Sequence, residues 1–207
     1  MVDARGLVVF DLDGTLLRGP TICELLAAPL GRLAEMQAFE CLTRQSEIAE
    51  ARVEMARWYK GFSRDRLIEF LRPPQWAPGA TEGIALLQES AIEVAIASIT
   101  WDFAVGWFAD QLGVKHVLGT GLTDGGQIEH VWPEHKAEWL TSLANQLRVP
   151  NERTAAVGDS SGDVAMLNAA TLRFFVGPHA PSGLKCLHLP SANILELTRI
   201  VLTEWSP

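Results

Sequence analysis

Cysteine is scarce in this chain: Cys23, Cys41 and Cys186 are the three among 207 residues. Their odd number and wide spacing exclude a disulfide framework and leave no close pair for zinc. Buried or idle thiols in a reducing compartment are the expectation. Basic charge is short as well. Lys and Arg number 17 against 25 Asp and Glu, a net charge of -8, and no run of Lys or Arg gathers the positive charge. Nucleic acid is therefore not an expected partner. Long apolar runs are missing too. The first, Leu7 to Phe10, meets Asp11 at once, which is too soon for a signal peptide or a membrane span. No membrane partner is expected, and the cytoplasm is the default location. No internal repeat or low-complexity tract interrupts the chain.

What is present is a chain that is 48% hydrophobic, enough for one good core and a small appended domain. Short apolar runs rich in Val, Ile and Ala read as buried parallel strands at Leu7–Phe10, Glu93–Ser98, Thr154–Asp159 and Leu172–Gly177. Helical patterns lie between them in GATEGIALLQES, HKAEWLTSLANQL and SSGDVAMLNAA. This alternation predicts an α/β fold, a parallel sheet covered on both faces. LTDGGQIEHV, with Asp124-Gly125-Gly126 between apolar residues, predicts a hairpin beside that sheet. From about Thr21 to Leu71 the alternation stops. That segment has helical spacing throughout, and RPPQWAPG, Arg72 to Gly79, reads as a hinge back to the body. The expected division is a core of residues 1–17 and 76–207 with three or four helices of residues 18–75 inserted as a cap.

The run LVVFDLDGTLL raises a chemical question, because a core strand ends in Asp11 and Asp13, two acids one residue apart. In an open α/β sheet, ligands bind beyond the C-terminal strand ends. Ser98 and Asp159 end two further strands, so three segments deliver oxygen ligands to one edge. Acids crowded there without His or Cys suit a hard cation, Mg²⁺ rather than zinc. Taken singly, an aspartate at a strand end is more often a turn or helix cap; the ordered set is what argues for a site.

The set resembles the haloacid dehalogenase-like superfamily. DLDGT (Asp11 to Thr15) is similar to its first motif, Ser98 after EVAIA to its second, Lys136 in HKAEWL to its third, and GDSSGD (Gly158 to Asp163) to its fourth. The resemblance implies a Rossmann-like core and a phosphomonoester hydrolase. Asp11 would be the nucleophile that forms an aspartyl-phosphate. Asp13 would be the general acid and base. Mg²⁺ would be held by the carboxylates of Asp11 and Asp159 and the carbonyl of Asp13, with Asp163 as further support. Lys136 would balance charge, Ser98 would donate to the phosphoryl group, and amides at Ile99 and Thr100 would complete the cradle. An acid at position 13 favours phosphoester chemistry over dehalogenation. A phosphotransferase using another alcohol as acceptor, or a catalytically weak phosphate-binding protein, are the alternatives.

The helical insert, the hairpin and VGDSSGDVAML resemble the phosphoserine phosphatase branch. This implies a small phosphorylated metabolite as substrate, with phosphoserine the single ester it points to, and Arg52 as the cap residue for the substrate carboxylate. The chain departs from that branch at three places. Pro20 stands where the branch has a Glu for the substrate ammonium, with Glu24, one turn on, as the substrate-binding candidate to take its place. Ser98-Ile99-Thr100 stands where it has Ser-Gly-Gly. Ser160-Ser161-Gly162 stands where it favours Gly-x-Asn.

Overall fold

The computed structural model describes residues 4–123 and 125–206. Strands β1 (Gly6–Phe10), β2 (Ile92–Trp101), β3 (His116–Leu122), β4 (Ile128–Glu129), β5 (Thr154–Gly158), β6 (Leu172–Phe175) and β7 (Leu187–His188) form one sheet. Its order is β4-β3-β2-β1-β5-β6-β7. The pairs are parallel except β3 with β4. The α/β expectation holds.

All of β1 is buried, and its period-2 alternation divides the core in two. Val8 and Phe10 pack on one face with Ile84 and Leu87 of α5 (Ala80–Glu89), Phe108 of α6 (Asp102–Gln111) and Leu197 of α9 (Ile194–Glu204). Leu7 and Val9 pack on the other with Leu140 and Leu143 of α7 (Pro133–Gln146) and Met166 of α8 (Val164–Ala169). Parallel strands covered on both faces need this continuous apolar character.

The insert comprises α1 (Ile22–Ala27), α2 (Leu33–Glu40), α3 (Gln45–Trp58) and α4 (Arg64–Glu69). Its two ends run antiparallel: Arg18 N donates to Gln75 O at 2.8 Å and Ala77 N to Leu16 O at 2.8 Å. Thr21 and Glu24 form a capping box that starts α1. The insert is seated on the body by Trp101 Nε1, which donates to the Tyr59 hydroxyl at 3.2 Å, and by Gln45 Nε2, which donates to Glu134 at 2.9 Å.

Three features differ from the sequence expectation. The hairpin is not beside the sheet: β3, its first arm, is itself a parallel neighbour of β2, and Asp124 of its turn lies outside the described residues. β2 extends past Ser98 to Trp101 with a bulge. Ala97 pairs with Leu118 but Trp101 with Thr120, so four steps on β2 match two on β3. β7 adds an edge strand beside β6 where the sequence expectation has none, and Trp58 and Trp101 pack on Phe39 and Tyr59.

Candidate active site

The chain leaves β2 on one side of β1 and returns as β5 on the other, so the strand order reverses between β1 and β5. Such a switch point opens a crevice at the C-terminal strand ends. Asp11 follows β1, Ser98 lies on the bulged end of β2, and Asp159 follows β5. All three line a cavity of about 500 Å³ under the helical insert, with Asp13 and Lys136. Gly14, at φ +76°, makes the turn after Asp13; a Cβ there would come within 2.2 Å of an Asp159 oxygen. Glycine is therefore required both by backbone angle and by the closeness of the two acidic segments. Thr15 adds a hydroxyl that donates to Asp159 at 3.1 Å.

Lys136 lies one turn inside α7 and is buried. Its ammonium donates to Asp11 at 2.6 Å and to Asp163 at 2.7 Å. Burial alone would lower its pKa, but the two carboxylates outweigh it and the lysine is held protonated. The second oxygen of Asp163 accepts from the Asp159 amide, the Ser160 amide and the Ser160 hydroxyl, at 3.1, 3.1 and 3.0 Å. Both Asp163 oxygens are thus engaged by the protein. Gly158 leaves room for this side chain, since a Cβ at 158 would lie 2.4 Å from that of Asp163.

Asp13 is treated differently from Asp11. One of its oxygens accepts from the Ile22 amide, the first residue of α1, at 2.8 Å. No lysine touches it, and burial pushes its carboxyl up to about 7 despite that hydrogen bond. Burial raises the Asp11 carboxyl as well, so the two acids differ in partner: the Lys136 ammonium for Asp11 and a cap amide for Asp13. Ser98 Oγ accepts from the Thr100 amide at 3.3 Å, which leaves its own hydrogen to donate into the cavity. Ile99 is 38% exposed on the cavity wall, and the Thr100 hydroxyl sits 3.4 Å from Cys23 Sγ. Burial pushes the Cys23 thiol up to about 12, so it is no competing nucleophile.

On the insert side, Arg52 of α3 reaches the cavity, buried to 5% exposure. Nη2 donates to Ile99 O at 2.9 Å and to Val131 O at 3.1 Å. Nη1 faces His130 Nδ1 at 3.1 Å, and the guanidinium lies 4.6 Å from the Trp132 ring centre. Glu24 is engaged in the capping box, its carboxylate accepting from the Thr21 amide at 2.9 Å, and it is not among the cavity walls. Glu40 of α2 lines the cavity instead and accepts from the Thr21 hydroxyl at 2.9 Å. Sequence reasoning missed Glu40, Trp132 and Thr120. The Thr120 hydroxyl donates to Ile99 O at 2.8 Å and accepts from the Val131 amide at 3.2 Å. No local pattern marks a threonine in β3 for that bridging task, whereas Thr15 lay within DLDGT and was findable there.

Carboxylate oxygens of Asp11, Asp159 and Asp163 lie within 4.8 Å of one another. One lysine cannot balance them. Burial first, then the Asp163 charge, raises the pKa of both Asp11 and Asp159. An all-oxygen set with excess negative charge fits a divalent cation such as Mg²⁺. Asp11 and Asp159 are the residues of the three that could hold such an ion with an oxygen still open, because the protein already engages both oxygens of Asp163.

The comparisons with known proteins agree with this geometry. A family model described as haloacid dehalogenase-like hydrolase matches residues 8–168. The phosphoserine phosphatase of Idiomarina loihiensis is 30% identical over 95% of this chain and 94% of its own length. That of Lactococcus lactis is 25% identical over 96% of each. A solved phospho-aspartyl intermediate analogue of phosphoserine phosphatase superposes with TM-score 0.79 at 21% identity, covering 95% of this chain and 99% of that one. A substrate-bound phosphoserine phosphatase complex superposes with TM-score 0.80 at 20% identity, covering 94% of this chain and 97% of that one. The chain belongs to the haloacid dehalogenase-like hydrolases, as a phosphatase of the phosphoserine phosphatase-like branch.

Proposed function

We propose that the protein is a Mg²⁺-dependent phosphomonoester hydrolase that works through an aspartyl-phosphate on Asp11 and acts on a small phosphorylated metabolite. The observation that carries this reading is the pair of acids on one turn. Asp11 is held by the Lys136 ammonium at 2.6 Å, while Asp13, two residues on, accepts from the Ile22 amide of the insert at 2.8 Å.

In the first half-reaction an Asp11 oxygen attacks phosphorus, and the bond from phosphorus to the ester oxygen breaks. Asp13 gives its proton to the departing alkoxide. In the second, Asp13 takes a proton from water, which attacks the phosphorus. The acyl phosphate bond breaks and Asp11 is regenerated. Lys136 and the Ser98 hydroxyl bind phosphoryl oxygens, and Asp163 positions Lys136 and the Asp159 loop. The Asp11 and Asp159 carboxylates and the Asp13 carbonyl would hold Mg²⁺, which would supply charge neutralisation between the nucleophile and the incoming dianion. Residues 18–75 act as the cap that covers the site. O-phospho-L-serine is the ester that the relatives' names point to, and it is the reference substrate for any assay.

The test is phosphate release from a generic aryl phosphate, with Mg²⁺ and with excess chelator. Release only with the metal is the expected result. Full activity in chelator contradicts the metal assignment.

A further inference from the structure

The cap wall is built for a different alcohol than the catalytic floor alone would suggest. A carboxylate is bound tightly when a guanidinium offers it two parallel N–H donors. Arginine has two such edges, Nη1 with Nη2 and Nε with Nη2, and both include Nη2. In Arg52 both Nη2 hydrogens are taken by backbone carbonyls, Ile99 O at 2.9 Å and Val131 O at 3.1 Å. Neither edge is open to a substrate carboxylate. The guanidinium instead ties α3 to the end of β2 and to the loop before α7.

The rest of the cap wall points the same way. Met36, Phe39, Leu42, Ile48 and Met55 face the cavity from the insert, and Ile99 faces it from the body beside Ser98. Pro20 offers no charge, and the Glu24 carboxylate is occupied in capping α1. The acid the insert contributes to the cavity lining is Glu40, which would repel a carboxylate. A cavity of about 500 Å³ with these walls also has room beyond a phosphate and a short chain.

Resting on the phosphatase reading above, we infer that the cap selects phosphomonoesters whose alcohol part is apolar and carries no carboxylate where it meets the insert. Arg52 is then a positioning residue that holds the lid and the Ile99 carbonyl, and not the receptor for an amino-acid carboxylate.

The experiment uses the full chain with Mg²⁺ and measures kcat and KM for ethyl, butyl and hexyl phosphate, O-phospho-L-serine and phosphoglycolate. The alkyl esters share nearly the same leaving group, so differences among them report the cap. The expected result is a falling KM at level kcat, with kcat/KM rising about fourfold per methylene until the wall is filled. Hexyl phosphate should then exceed O-phospho-L-serine. Arg52→Lys should lower kcat/KM by the same factor for hexyl phosphate and for O-phospho-L-serine. A flat alkyl series, a preference for O-phospho-L-serine, or a larger Arg52→Lys loss on the carboxylate esters overturns the inference and leaves the phosphatase reading intact. No turnover of any ester overturns that reading and the inference with it.

Discussion

Asp11 and Asp13 share a residue type and a turn but have different partners, and the proposed function assigns the two acids opposite tasks. Lys136, itself held by Asp163 of the turn after β5, binds one Asp11 oxygen from α7, and the proposed attack on phosphorus uses the other. Asp13 has an amide of the cap as its partner and no cation in contact. Burial therefore decides its proton. Because the Asp13 partner is the first residue of α1, the acid is aimed by the cap entry and not by the sheet alone. An amide at position 13 keeps the hydrogen-bond acceptor but cannot donate a proton to an alkoxide in the same way. Asp13→Asn should lower kcat for alkyl phosphates by ~10²–10⁴-fold, the usual worth of a general acid. The loss should shrink for aryl esters whose leaving group needs no proton. An equal loss across leaving groups would remove Asp13 from the proton-transfer role.

At the scale of elements, β1 does two jobs in succession. Its five residues fill both halves of the core, and the residue after them, Asp11, is the proposed nucleophile. Phe10 is fully buried, directly before Asp11. Phe10→Ala should cost ~3–5 kcal/mol of stability, the range for emptying a buried aromatic site, measured by denaturant unfolding. A cost under ~1 kcal/mol would mean that the site collapses around the gap. The strands of this layer were legible because parallel strands must be apolar on both sides, and the ends of β1 and β5 were legible because Asp11 and Asp159 break those runs abruptly. α6, α9 and β7 were not read. β7 has two residues and carries no period. The Ile99–Thr100 extension of β2 was hidden because the bulge that sets Ile99 O between Arg52 and Thr120 depends on β3, which is distant in sequence. Likewise Arg52 stood out as a cap cation, but its carbonyl partners belong to the body and could not be seen from helix spacing.

At the scale of the whole molecule, the proposed function assigns chemistry to the sheet edge and substrate choice to the insert. The sheet edge brings the acids and Lys136 together, and the insert roofs them with apolar side chains and ties itself down through Arg52, Tyr59 and Gln45. No helix among the described residues is long and apolar enough to cross a membrane. The excess of carboxylates at the sheet edge is the feature the account rests on. Lys136 alone does not balance that charge, and the proposed Mg²⁺ would supply the remaining positive charge. The most direct measurement is to mix the full chain with Mg²⁺ and substrate, quench in acid during turnover, and map the phosphoryl group by peptide mass spectrometry. The account predicts an acid-stable, base-labile phosphoryl adduct on Asp11, present in the wild type and absent in Asp11→Asn, which should also release no phosphate. Phosphate release by Asp11→Asn at near wild-type rate, with no adduct on Asp11 in the wild type, would contradict it.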